Sequence, residues 1–300
     1  MGVLGFLLPL SPLSAERSYR VTGGLNRFVS APGQYLVIYL LEGLAFSDLT
    51  TIFFAFLYAI IAVILAFSLT TNLGKLPVRG SVVLNSVFMN AINLPLPLLQ
   101  LLTGSSQYAA SYSVGSSLTQ IISSKALQSA TSSQKGSGTK FGFVDFVRFV
   151  PLMMVGVGAI LHYTIWLNVQ NASLSNIFET LLTFLLSLNF LYFGASLQKS
   201  IKSGSSKGTM KFRKPLILVG LFRTIIGPLI TIGLALLFFL NNSNAFIELV
   251  FVGAMPPAIT NTVLSGIYGF DESFSATSAL IMTPVNIVEA FLIFYSIKLL

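Results

Sequence analysis

The side chains able to do chemistry in this chain lie where water is scarce. Two stretches rich in proline and amides interrupt apolar segments: Asn90-Ala91-Ile92-Asn93-Leu94-Pro95-Leu96-Pro97 and Gly253-Ala254-Met255-Pro256-Pro257-Ala258-Ile259-Thr260-Asn261. Each proline removes a backbone donor and clashes with the preceding turn, so two close together break a helix. In lipid the freed N–H and C=O groups are costly unless satisfied, so such breaks survive only inside protein or beside a water-filled cavity. Asn90, Asn93, Thr260 and Asn261 supply side chains that can satisfy those groups or hydrogen-bond a solute, while Pro95, Pro97, Pro256 and Pro257 hold the breaks open. Half-helices that start after such breaks present N-termini with partial positive charge, which favours an anionic group. The plainer alternative is a pair of structural kinks without a ligand.

A second set of candidates is ionisable. Glu289 lies nine positions before Lys298, about 13 Å along a helix and close to the midplane of a hydrocarbon core about 30 Å thick. A carboxylate at that depth is a functional candidate by default. Asn286 shares its helix face, and Arg223 lies about 12 Å into another apolar segment. Glu289 is therefore a candidate for protonatable coupling, and Arg223 for pairing with Glu289 or with an anionic substrate. The alternatives are a buried structural carboxylate and an arginine that snorkels to the headgroups. His162 reads as an interfacial residue. Glu42 and Asp48 read as a solvated turn, and Glu179 and Glu248 read the same way at outer helix ends. Gly156 and Gly158 suggest close helix packing. With no cysteine, one histidine and no P-loop, neither a metal cluster, an ATP-driven step nor an enzyme is expected, and no cofactor is called for. Coupling to H+ or Na+ is left open.

The elements that must position these residues follow from composition. Of 300 residues, 54% are hydrophobic and only 9% charged. That is far below the charged share of a soluble domain and excludes disorder. Runs such as Phe53 to Phe67 do not alternate, so the expected class is an all-α polytopic membrane protein rather than a barrel. Candidate spans are 1–11, 26–44, 49–70, 80–102, 107–124, 141–167, 174–197, 215–240, 244–268 and 273–300. The polar stretches 125–140 and 198–214, rich in Ser, Gly and Lys, read as flexible loops. The first divides the chain into residues 1–124 and 141–300, five segments each.

The halves echo one another. Gly2 to Leu7 echoes Gly156 to Leu161, and Phe88 to Pro95 echoes Phe251 to Ala258. A unit with an odd number of spans inserts in opposite orientations in its two copies, which is the inverted-repeat plan of secondary transporters. The expectation is ten transmembrane helices in two inverted five-helix repeats with broken fourth and ninth helices. The first helix is shortened, either naturally or because the true start lies upstream. Residues 1–10 lack the features of a signal peptide. The net charge of +8 reflects Lys and Arg in inter-span loops rather than a nucleic-acid surface. Their distribution (Arg17, Arg20 and Arg27; Lys75 and Arg79; Lys125, Lys135 and Lys140; Lys199 to Lys214) puts these loops in the cytoplasm and both termini outside.

The stretch Ala254-Met255-Pro256-Pro257-Ala258 with Asn261, Tyr268-Gly269, Ala276 and Thr283-Pro284, together with Phe193-Gly194-Ala195-Ser196-Leu197, resembles the C-terminal hallmark of the auxin efflux carrier family. Asn90 through Pro97 is similar to that family's crossover. In the hormone carriers Asn is followed directly by Pro, whereas Leu94 and Leu96 intervene here, so auxin itself is not the expected substrate. The resemblance implies a scaffold domain, an elevator-like transport domain and a substrate near the crossed fourth and ninth helices. The expected function is a secondary carrier, an efflux carrier of small organic anions, in the plasma membrane. Its partners would be the lipid bilayer, the anion and, as one open assembly, a second copy in a homodimer. A sodium-coupled symporter of the bile-acid type and a non-transporting ligand sensor are the alternatives.

Overall fold

The computed structural model describes residues 15–73, 76–131, 143–165, 172–202 and 212–299. Among them every regular element is helical: α1 Ala15–Leu25, a π-turn Asn26–Ser30, α2 Ala31–Glu42, α3 Phe46–Leu69, α4 Leu76–Val87, α5 Pro95–Thr103, α6 Gln107–Thr131, α7 Phe143–Thr164, α8 Ala172–Lys202, α9 Arg213–Leu221, a second π-turn Phe222–Ile226, α10 Gly227–Phe239, α11 Ser243–Gly253, α12 Thr260–Ile267 and α13 Glu272–Lys298. Among the described residues four apolar stretches are long enough to cross a membrane: Phe46–Leu69, Leu174–Ala195, Arg213–Phe239 and Glu272–Lys298.

Several boundaries differ from the sequence reading. Arg17 and Arg20, expected in a loop, are exposed on α1, which continues through the π-turn into α2. The loop expected over 125–140 begins as helix, because α6 runs on to Thr131; residues 132–142 lie outside the described part. The loop expected over 198–214 likewise starts as the end of α8 and finishes as the start of α9, and residues 203–211 lie outside the described part. Ser-rich sequence is weakly unfavourable in a helix, and helical neighbours on either side override it. The first span, 1–11, also lies outside the described residues.

Both π-turns have an identifiable cause. A proline follows each at the second position of the next helix, Pro32 in α2 and Pro228 in α10. A proline ring cannot accept the normal turn beneath it, so the helix widens. The N–H of Ala31 reaches back to the carbonyl of Asn26, and that of Gly227 to Phe222. The wide turns aim polar side chains inward: Ser30 in the first and Arg223 in the second are both fully buried.

The chain divides into two compact units, and each draws on both halves of the sequence. The first falls within Met1–Leu49, Ile92–Val114 and Gln134–Lys199. Here α2 packs on α7, and Gly158 is what allows it, since a Cβ there would sit 2.7 Å from the Leu36 carbonyl oxygen. Gly156, expected to share this role, would meet nothing within 4 Å. His162 is a packed residue. Its Nδ1 hydrogen-bonds the Leu40 carbonyl at 2.8 Å, at the end of α2, and its ring lies against Gly43, which turns the chain with φ +74. Asp48 is not a solvated turn residue as expected but fully buried. Its carboxylate accepts from Ser111 Oγ at 2.7 Å, Gln107 Nε2 at 2.9 Å and the Ala45 N–H at 2.8 Å, so the charge starts α3 instead of facing water. Glu248, read the same way, is also buried.

The second unit falls within Thr50–Ala91, Gly115–Ser133 and Ser200–Leu300. One core cluster joins Val82, Phe212, Val219, Phe274 and Met282, from α4, α9 and α13 and the residue before α9. Gly253 at the end of α11 lies directly on Thr231 of α10, where a Cβ would be 2.6 Å from its Oγ1. Asn85 of α4 donates to Ser81 O at 2.8 Å and to Ser275 Oγ of α13 at 2.9 Å, a polar tie inside an apolar core.

Candidate functional site: a crossing of two interrupted helices

Both proline-rich segments are interrupted. Helix α4 ends at Val87 and α5 starts at Pro95; α11 ends at Gly253 and α12 starts at Thr260. The prolines do this in two ways. Pro95 and Pro97 lie in the first turn of α5, where backbone N–H groups have no partner within the helix, so the missing donors cost nothing there. Pro256 and Pro257 sit inside the second break.

Within the second unit the two interruptions meet. Met89 and Pro257 form an isolated antiparallel bridge. The Asn90 N–H donates to the Pro256 carbonyl at 2.7 Å, and the Ala258 N–H to the Phe88 carbonyl at 2.9 Å. This is the pairing in which flanking residues supply the hydrogen bonds, so Pro257 needs no N–H. Two unwound strands thereby satisfy one another in a place where water could not.

The ends of the first half-helices are then closed by two side chains. Asn261 is fully buried. Its Nδ2 donates to the carbonyls of Leu84 at 3.1 Å and Phe88 at 2.8 Å, capping the C-terminus of α4. Arg223 is also fully buried. Its Nη2 donates to the Gly253 carbonyl at 2.8 Å and at closer range to the Met255 carbonyl, capping the C-terminus of α11. Its Nη1 lies 3.4 Å from both Tyr58 Oη and the Ser86 carbonyl. A cation at a helix C-terminus also complements the dipole. Gly227 leaves room for this arrangement, since a Cβ there would be 3.2 Å from Tyr58 Oη and 3.4 Å from Arg223 Nη1.

The remaining candidates take distinct places. Asn90, Pro256 and Pro257 are buried at the crossing, and Thr260 is exposed at the start of α12. Gln120 of α6 donates to Asn261 Oδ1 at 2.6 Å and to Thr260 Oγ1 at 3.2 Å. Asn93, Pro95 and Pro97 belong to the first unit, where Asn93 Oδ1 accepts from Asn26 Nδ2 at 3.2 Å. Asn286 donates to Glu289 Oε2 at 2.8 Å, as their spacing on one face suggested. Arg223 directs its hydrogen bonds to carbonyls and a phenol rather than to Glu289. Gln120, Tyr58 and Ser86 escaped the sequence reading, since each lies in an apolar or Ser-rich run and its partner is far away in the chain. A glutamine in the interior of a span was the one available signal.

Taken together, helices as the regular elements of the described residues, four stretches among them long and apolar enough to cross a bilayer, and interrupted helices that pair within the protein define a helical membrane protein. No protein-family model matches the chain, and neither does any curated protein.

Proposed function

We propose that this protein is a secondary transporter, an efflux carrier of small organic anions. The observation that carries the proposal is the backbone pairing of Met89 with Pro257, which holds two interrupted helices together in a protein whose described residues include four stretches long and apolar enough to cross a membrane. A broken helix exposes peptide dipoles at membrane depth, and paired breaks in two halves of a chain are the feature that marks carrier sites. In this reading the substrate anion lies beside the start of α12, where the exposed Thr260 and its neighbour Gln120 offer hydrogen-bonding groups. Asn261 supports them from behind.

The same reading takes the ten-helix inverted repeat as the architecture. It takes the second unit as the body that moves to alternate access, in the manner that the resemblance to auxin efflux carriers implies. The reading also keeps the plasma membrane as the location and both termini outside, on the clustering of Lys and Arg between alternate apolar segments of the sequence. No cofactor has a role, and Glu289 with Asn286 is the candidate for ion coupling.

The test is uptake of radiolabelled benzoate, pyruvate and succinate into proteoliposomes. Saturable uptake of at least one acid is expected, with a large loss in the double variant Gln120→Leu/Thr260→Val. Absence of uptake of any acid, or full uptake by a folded double variant, would overturn the proposal.

A further inference from the structure

We infer that Arg223 sets the charge selectivity of the crossing, as a residue that fixes the sign of the local field and not as a substrate ligand. The inference rests on the transporter reading and adds the residue that makes its substrate an anion.

Three helix ends meet the crossing within the second unit: the C-termini of α4 and α11 and the N-terminus of α12. A helix end carries about half an elementary charge, negative at the C-terminus and positive at the N-terminus. Two C-termini and one N-terminus therefore sum to about −0.5, a field that repels an anion. Asn261 closes the α4 end with a neutral amide, which satisfies carbonyls and leaves the sign unchanged. Arg223 closes the α11 end with a guanidinium, which carries a full positive charge. The sum becomes about +0.5. Of the side chains that hydrogen-bond the two breaks among the described residues, Arg223 is the one that is charged, so it weighs most in the local sign.

Other features of Arg223 fit this role. It is fully buried, so water does not screen its charge. Its four hydrogen-bond acceptors are two carbonyls of the break, the Ser86 carbonyl and the Tyr58 phenol, all uncharged groups. Its Nε finds no acceptor among the described residues. Glu289 interacts with Arg223 through its field, and its Oε2 accepts a hydrogen bond from Asn286 rather than from the guanidinium. Among the described residues no carboxylate hydrogen-bonds the guanidinium. The wide turn Phe222–Ile226 and the absence of a side chain at Gly227 bring it to this position.

The experiment compares flux of radiolabelled benzoate with that of its uncharged isostere benzamide, using proteoliposomes of wild type, Arg223→Lys and Arg223→Gln, each checked for folding by thermal unfolding in detergent. At an effective dielectric of about 20, a unit charge within about 10 Å of a carboxylate shifts the preference about tenfold or more. Wild type and Arg223→Lys are expected to prefer benzoate by tenfold or more, while Arg223→Gln loses that preference and keeps or gains benzamide flux. A merely structural arginine would lower both fluxes together. A folded Arg223→Gln protein that still prefers benzoate would overturn the inference and leave the transporter reading standing. If Arg223→Gln does not fold, Arg223→Lys decides: a folded lysine variant without the preference refutes a role for charge, and one that keeps it supports the role. Wild type that carries neither compound, nor any acid in the uptake panel, would overturn the transporter reading and this inference with it.

Discussion

Replacing Asn261 by leucine separates a structural cap from a substrate ligand. The Asn261 amide makes three hydrogen bonds, two donated to the Leu84 and Phe88 carbonyls and one accepted from Gln120. Each is worth about 0.5–1.5 kcal/mol net. The two carbonyls are not orphaned by the change, because Leu84 O still accepts from the Phe88 N–H and Phe88 O from the Ala258 N–H, each at 2.9 Å. The expected loss is therefore about 2–3 kcal/mol, without the larger penalty of unsatisfied buried carbonyls. It appears in the protein free of any substrate. Asn261→Asp is expected to cost more, since it aims a carboxylate at two carbonyl oxygens. Reversible unfolding by sodium dodecyl sulfate in mixed micelles measures both, and hydrogen exchange should quicken at the amides of Asn90 and Ala258, which hold the crossing. Unchanged stability of Asn261→Leu without substrate would refute the capping argument and return Asn261 to the role of a ligand.

Other substitutions test neighbouring parts of the account. Gly158→Ala should destabilise by about 1–3 kcal/mol through overpacking against the α2 backbone, whereas Gly156→Ala should be neutral or stabilising by up to about 1 kcal/mol; unfolding titrations of the pair give the contrast. Asp48→Ala removes the acceptor of three donors in the first unit and should cost about 2 kcal/mol or more in the same assay. If Glu289 couples protons, Glu289→Gln proteoliposomes should lose the stimulation of uptake by an imposed pH gradient and keep exchange at equal pH; a retained response excludes Glu289 from coupling.

The elements that were legible in the sequence are those whose cause is local. Pro256-Pro257 and the pair Pro95 and Pro97 announce interruptions because proline acts on its own turn, and the apolar run of α3 announces a span because twenty residues of one character suffice. Asn286 and Glu289 are joined by a spacing that any helix brings together. What was not legible depends on distant partners. Nothing near Asp48 reveals that Ser111 and Gln107 will bury it. Nothing near Asn261 reveals that its amide will close a helix ending more than 170 residues earlier, at Val87. Arg223 could be assigned an acid or a headgroup from its depth alone, and only the fold supplies the carbonyls of Gly253 and Met255. The helical continuation over Lys125 to Thr131 was hidden for a related reason, since Ser and Lys read as a loop until a long helix carries them.

The central claim is that the two interruptions meet at one backbone pairing, and the absence of native cysteine makes it directly measurable. In the double variant Met89→Cys/Pro257→Cys the α-carbons of an antiparallel pair of this type lie about 4.5 Å apart, within the range a disulfide spans. Oxidation in native membranes, read as an intramolecular cross-link after proteolytic cleavage between the two positions, is predicted to be rapid and near complete, with neither single variant cross-linking. Two reactive thiols that label separately and never join would contradict the account.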